Sequence, residues 1–237
     1  MFRSDEKFLV IDTETANTLE VPLVYDIGGA IVDKAGNVYE TFYWVIRDVF
    51  FNEKELMKTS YYKEKLPLYW ADLKEKRCQI RTILEARREI RNLLEKWKVV
   101  RIFGHNIRFD LLALNTTLRY VTKSQYRWFF PKEILLCDTL RMARQVFGFD
   151  PLYLNFCKEN GFMTNSNMPQ MTAEVIYRFL KQDLSFQESH TGLEDVLIEK
   201  EILKECAKYR GIEYLMRGLA VDAKFKENIY GSRLRRI

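Results

Sequence analysis

FLVIDTET, residues 8–15, is the stretch on which the fold turns. A short apolar run that closes on an aspartate reads as a buried strand delivering a carboxylate at its end. IGGAIVD (27–33) and NVYETFYWVI (37–46) are rich in β-branched and aromatic residues, with Lys34-Ala35-Gly36-Asn37 as a turn between them. Together the three segments predict an N-terminal three-stranded meander. Side chains alternate along a strand, so Asp12 and Glu14 would point to one side of it. Two buried carboxylates that close repel each other, and a divalent cation is the usual remedy. The same DxE spacing also suits a solvated turn, and alone it does not choose.

Downstream, apolar residues recur at helical spacing from Lys74 to Lys98: Ile80, Ile83, Leu84, Ile90, Leu93, Leu94 and Trp97 form one stripe. VVRIF (99–103) reads as a buried strand followed by a helix from about Arg108, and ILLCD (134–138) as a further strand. Helical stretches are expected at 139–147, 151–160, 172–182 (with Thr172 as its cap) and 192–209. Strands first, then strands alternating with helices, predict an α/β domain with a mixed central sheet flanked by helices. The segment 48–78 resists assignment, and 48–98 reads as a charged, partly helical insertion over one edge of the fold.

The 237 residues fit one large domain, and 47% hydrophobic with 30% charged residues suffices for a full core. Thirty-eight basic against 33 acidic residues, a net +5, permit a polyanionic partner without requiring one. Cys78, Cys137, Cys157 and Cys206 form no CxxC pair, which argues against a zinc site or disulfide framework and for reduced thiols in the cytoplasm. No stretch approaches the roughly 20 apolar residues that span a bilayer, so no membrane association is expected. The N-terminal apolar run is too short for a secretory signal.

Two further clusters carry chemistry. GHNIRFD (104–110) places Asp110 just past a strand end, where open α/β sheets tend to build their sites; it equally fits a helix start with Asn106 as cap and Asp110 against the dipole. HTGLED (190–195) puts His190 before a helix and Asp195 in its first turn, although a histidine there also serves as a cap or surface residue. His105 and His190 are the chain's two histidines, each followed five positions later by an aspartate. Taken together, four carboxylates and a histidine suit metal-assisted phosphoryl transfer, with two Mg²⁺ or Mn²⁺ ions roughly 4 Å apart. An imidazole with a pKa of about 6.5 can take a proton from water at neutral pH.

The order Asp12/Glu14, Asp110, His190-x4-Asp195 resembles the DEDDh branch of the DnaQ-like 3′→5′ exonucleases. FLVIDTET, GHNIRFD and HTGLED resemble its three motifs, and Cys137-Asp138-Thr139-Leu140 resembles its strand end after the second; the similarity covers roughly 7–46 and 99–205. The resemblance implies a ribonuclease H-like fold, two divalent cations and hydrolysis of the terminal phosphodiester from a 3′ end, releasing nucleoside monophosphates. It further implies that Asp12 bridges both ions, Glu14 and Asp195 support the ion on the nucleophile side, Asp110 serves the other partly through water, and His190 is the general base. Substrate contacts implied in the same way fall at Thr13, Thr15, Leu19, His105 and Asn106, with His105 chiefly organising its loop. Thr15-Ala16-Asn17-Thr18-Leu19-Glu20 departs from the Thr-Gly type turn of many relatives, which leaves sugar discrimination open.

Single-stranded DNA or frayed duplex ends are the expected substrate. An exoribonuclease on the same scaffold and a non-catalytic nucleic-acid-binding subunit are the alternatives. A polymerase or other replication or repair partner fits this activity, although no docking motif is recognisable. Arg77, Arg81 and Arg88 would share one helical side and track a phosphate backbone, or simply form a solvated face. Tyr126, Trp128, Phe129 and Phe130 are candidates for stacking on bases, whereas Phe42, Tyr43 and Trp44 read as core. The domain is expected to span 1–209, followed by a basic extension at 210–237.

Overall fold

The computed structural model describes residues 5–58, 60 and 63–209; the basic extension at 210–237 lies outside the described residues. The meander forms as expected, from β1 (Lys7–Ala16), β2 (Leu23–Asp33) and β3 (Val38–Ile46). Gly36 takes a left-handed φ of 81° in the turn between β2 and β3, a conformation that favours glycine. β1 does not end at Asp12. It stays paired with β2 as far as Ala16↔Leu23, with a register shift after Glu14, so Asp12 and Glu14 lie inside the strand.

Two short helices, α1 (Arg47–Phe50) and α2 (Lys54–Met57), and a 3-10 turn at Lys63–Lys65 lead into α3 (Leu66–Lys74). The continuous helix expected over 74–98 does not form. Gln79–Arg81 is strand β4, parallel to β3 through Val45↔Ile80, and α4 occupies Ile83–Lys96. Pairing with β3 takes Gln79–Arg81 out of the helix, and α4 then starts at a reciprocal capping box between Thr82 and Glu85, with Asp48 Oδ2 accepting from Ile83 N at 2.6 Å. Ile80 therefore belongs to an edge strand, and Arg77, Arg81 and Arg88 share no helical side. Arg77 pairs with Asp72 and Glu75, and Arg81 with Glu89.

β5 (Arg101–Gly104), α5 (Ile107–Thr122), β6 (Leu135–Asp138), α6 (Thr139–Phe147), α7 (Pro151–Glu159), α8 (Ala173–Lys181) and α9 (Gly192–Cys206) complete the chain. Thr172 caps α8 as expected, accepting from Val175 N. The six strands form one mixed sheet in the order β4-β3-β2-β1-β5-β6. Alternation divides the core: Leu9 and Ile11 face α4 and α5, whereas Phe8 and Val10 face α6, α7, α8 and α9. A third cluster joins Leu23, Tyr25 and Tyr43 to Val49, Phe50, Met57 and Tyr69, so these residues of the unassigned segment 48–78 pack on one end of the sheet. This helix-flanked sheet is a ribonuclease H-like α/β fold.

All four cysteines are buried and free. No helix among the described residues is long and apolar enough to cross a membrane. Phe42, Tyr43 and Trp44 are buried, as expected of core. Phe129 and Phe130 are buried as well, contrary to a stacking role, whereas Tyr126 is exposed and Trp128 lies beneath the Arg119 guanidinium, 4.7 Å from its ring centre.

Candidate active site

The ladder from β1 to β5 ends at Val10↔Phe103, while β1 itself continues. Past that point Asp12 and Glu14 face α9, opposite Gly28 and Asp26 of β2 in the antiparallel register. The start of α9 lies directly on this surface: a Cβ at Gly28 would meet the Gly192 carbonyl carbon at 1.9 Å, and one at Gly192 would meet Gly28 N at 2.6 Å. Only two glycines permit that approach, and it carries Asp195 to Asp12 and Glu14. Thr13 points the other way, where its buried hydroxyl donates to Asp110 Oδ1 at 2.8 Å, so the fourth carboxylate reaches the cluster from α5 on the opposite side.

Ligand atoms of Glu14, His190 and Asp195 all lie within 4.8 Å of one another. Burial and mutual repulsion make every carboxylate here a weaker acid. Glu14 is pushed up to about 11 by burial and then by Asp12, Asp195, Asp26 and Asp110. Asp195 is pushed up to about 10 by burial and then by Asp12, Glu188 and Asp26. Burial raises Asp12 to about 7, and burial followed by the Asp12 charge takes Asp110 well above the usual carboxylate range. The Asp12 charge contributes to the rise of each of Glu14, Asp110 and Asp195. Burial and then Lys65 hold His190 below its ordinary value.

A divalent cation fits these donors. They are carboxylate oxygens with one imidazole nitrogen, the carboxylates repel one another, and Asp195 Oδ1 is buried with no hydrogen-bond partner among the described residues.

Three acidic groups that the motif reading did not single out join the site. Asp26, fully buried, accepts from Gly192 N at 2.9 Å and from the Tyr69 hydroxyl at 2.7 Å. Glu199, one turn after Asp195, accepts from His105 N at 3.0 Å through Oε1, while its buried Oε2 has no partner among the described residues. Glu188 lies 3.9 Å from His190 Nδ1. Asp26 was legible only as an acidic residue within an otherwise apolar stretch, and Glu199, beside Lys200 and Glu201, carried no signal of its own.

The remaining candidates differ in placement. His105 has both ring nitrogens engaged inside the protein, Nε2 at 2.7 Å from Met171 O and Nδ1 at 3.2 Å from Thr139 Oγ1. With the Met171 carbonyl able only to accept, Nε2 carries the proton. Asn106 occupies the cap position of α5 in a left-handed conformation, φ 73°, and its side chain makes no capping bond. Its N–H instead donates to Asp138 Oδ1, which also accepts from Leu140 N at the start of α6. Thr15 is half-buried beyond the register shift, and Leu19 is 73% exposed in the turn between β1 and β2.

No protein-family model matches the chain, and no curated protein matches it in sequence. Solved structures do match in fold. Escherichia coli exonuclease I in complex with a dA16 oligonucleotide is 16% identical over 90% of this chain and 43% of that one, with a TM-score of 0.53. The zinc-ion-bound form of the E. coli exonuclease I complex with single-stranded DNA is 18% identical, with the same coverage and a TM-score of 0.51. An SSB/exonuclease I structure with the inhibitor CFAM is 16% identical over 90% of this chain and 44% of that one, with a TM-score of 0.55. The chain thus spans less than half the length of these proteins, and what it shares with them at this identity is the fold.

Proposed function

We propose that the protein is a metal-dependent 3′→5′ exonuclease of the DEDDh type, hydrolysing terminal phosphodiesters of single-stranded DNA or frayed ends to nucleoside monophosphates. The observation that carries this reading is the convergence of Glu14, His190 and Asp195 within 4.8 Å beside Asp12 and Asp110. Asp12, Glu14, Asp110 and Asp195 would hold two Mg²⁺ or Mn²⁺ ions, which when bound lower the pKa of water and offset charge on the attacking and leaving oxygens. Thr13 orients Asp110 through its hydroxyl. His190, neutral at neutral pH because burial and Lys65 disfavour its charged form, takes the proton of the attacking water. The phosphorus–O3′ bond breaks, and the leaving oxygen is protonated from solvent.

DNA is favoured because two of the fold neighbours are complexes with single-stranded DNA. The test is a time course on 5′-labelled single-stranded DNA and RNA with Mg²⁺, Mn²⁺ or EDTA, with Asp195→Ala alongside. A metal-dependent ladder shortening from the 3′ end and absent in the variant supports the reading. Shortening of RNA alone makes the protein an exoribonuclease. Oligonucleotide binding without shortening makes it a binding subunit.

A further inference from the structure

We propose that Tyr69, on α3, is a positioning residue that acts through Asp26 to hold His190 in its working place; the proposal rests on the exonuclease reading above. Tyr69 is fully buried, and its ring packs against Tyr25 and Phe50 with centroids at 5.5 and 5.8 Å. Its single hydroxyl proton is shared, chiefly with Asp26 Oδ2 at 2.7 Å and more weakly with His190 O at 3.3 Å. The same Asp26 oxygen accepts from Gly192 N at 2.9 Å. One hydroxyl and one carboxylate therefore grip the backbone on both sides of Thr191, from positions 121 and 166 residues away in sequence.

The grip has a purpose that the local backbone reveals. His190 has a left-handed φ of 55°, a conformation uncommon for a non-glycine residue and costly unless its surroundings support it. The Gly28–Gly192 contact fixes the start of α9 against β2, but it does not reach the residue two positions earlier. Tyr69 does. Segment 48–78, which no motif covers, thereby supplies a part of the catalytic apparatus: α3 holds the loop that carries the base.

Tyr69→Phe removes the proton donor and keeps the ring in its aromatic cluster. Steady-state hydrolysis of 5′-labelled single-stranded DNA would be measured for wild type, Tyr69→Phe, His190→Ala and the double variant, with melting temperature and oligonucleotide affinity for each. The expected result is a kcat about 10-fold lower in Tyr69→Phe at nearly unchanged KM, below the ~100-fold that a full 1 Å misplacement can cost. In the His190→Ala background the same substitution should cost far less, because its route through the base has gone. An equal loss in both backgrounds would mean a general structural role and would overturn the proposal, as would full activity of Tyr69→Phe. If Tyr69→Phe does not fold, Asp26→Asn must show the same non-additivity with His190→Ala. An active wild type with additive variants sinks this inference alone, whereas a wild type that cleaves nothing sinks the exonuclease reading with it.

Discussion

Replacing Asp195 by Asn should make the metal-free protein more stable and the metal-loaded protein less so. Asp195 is 7% exposed, lies within 4.8 Å of Glu14, and has one oxygen without a hydrogen-bond partner among the described residues. At that separation and an effective dielectric constant of about 20, two charges repel by about 3 kcal/mol. The alternative to repulsion is protonation, which at pH 7 costs about 1.4 kcal/mol for each unit above the ordinary carboxylate pKa, or about 4 kcal/mol for an aspartate near 3.8. Both routes burden the metal-free native state by a similar amount, and the amide removes either burden. A gain of up to about 3 kcal/mol corresponds to a rise of roughly 6–12 °C for a domain of this size. With a divalent ion at 100 times its dissociation constant, wild type gains about 2.7 kcal/mol, whereas the variant has lost a ligand. Thermal melts in EDTA and in saturating Mn²⁺ at pH 7 decide it. A variant that melts below wild type in EDTA, or that gains as much from Mn²⁺, would refute the charge-cluster reasoning.

Further outcomes follow from the same geometry. Asp12→Ala should abolish metal-dependent hydrolysis and weaken Mn²⁺ binding, measured by calorimetric titration, because the Asp12 charge bears on each of Glu14, Asp110 and Asp195. His190→Ala should lower turnover by roughly 10²–10⁴-fold with little change in oligonucleotide affinity. The acid limb of the kcat profile should lie below pH 6.5, since the imidazole is held below its ordinary value. In EDTA, stability should fall as pH rises. Asp12, Asp26, Asp195 and Glu14 have folded pKa values of about 7, 7, 10 and 11, above their unfolded values, so the native state binds more protons from about pH 4 upward. Urea denaturation of metal-free protein across pH 5–9 should show that slope, and a stability that rises through this window would contradict the raised pKa values.

Local sequence determined more of this protein than its 16–18% identity to solved structures suggests. Strand alternation placed Asp12 and Glu14 on one face, β-branched runs marked the meander, and helix starts fell where Asn106, Thr172 and Thr191 stand. These features are decided within a few residues, by period and, at Thr172, by a capping bond, whereas Asn106 and Thr191 stand at helix starts without one. The tertiary structure decided what depended on distant partners. Gln79–Arg81 became a strand, because pairing with β3 outweighed a helical spacing. The Gly28–Gly192 approach brought α9 onto β2, and with it Asp195 to Asp12. Asp26, Tyr69 and Glu199 entered the site because their partners lie 43 to 166 residues away, beyond the range of any periodicity. A strand or helix declares itself through neighbours in sequence, but a buried carboxylate takes its role from the donors and charges that the finished fold places around it.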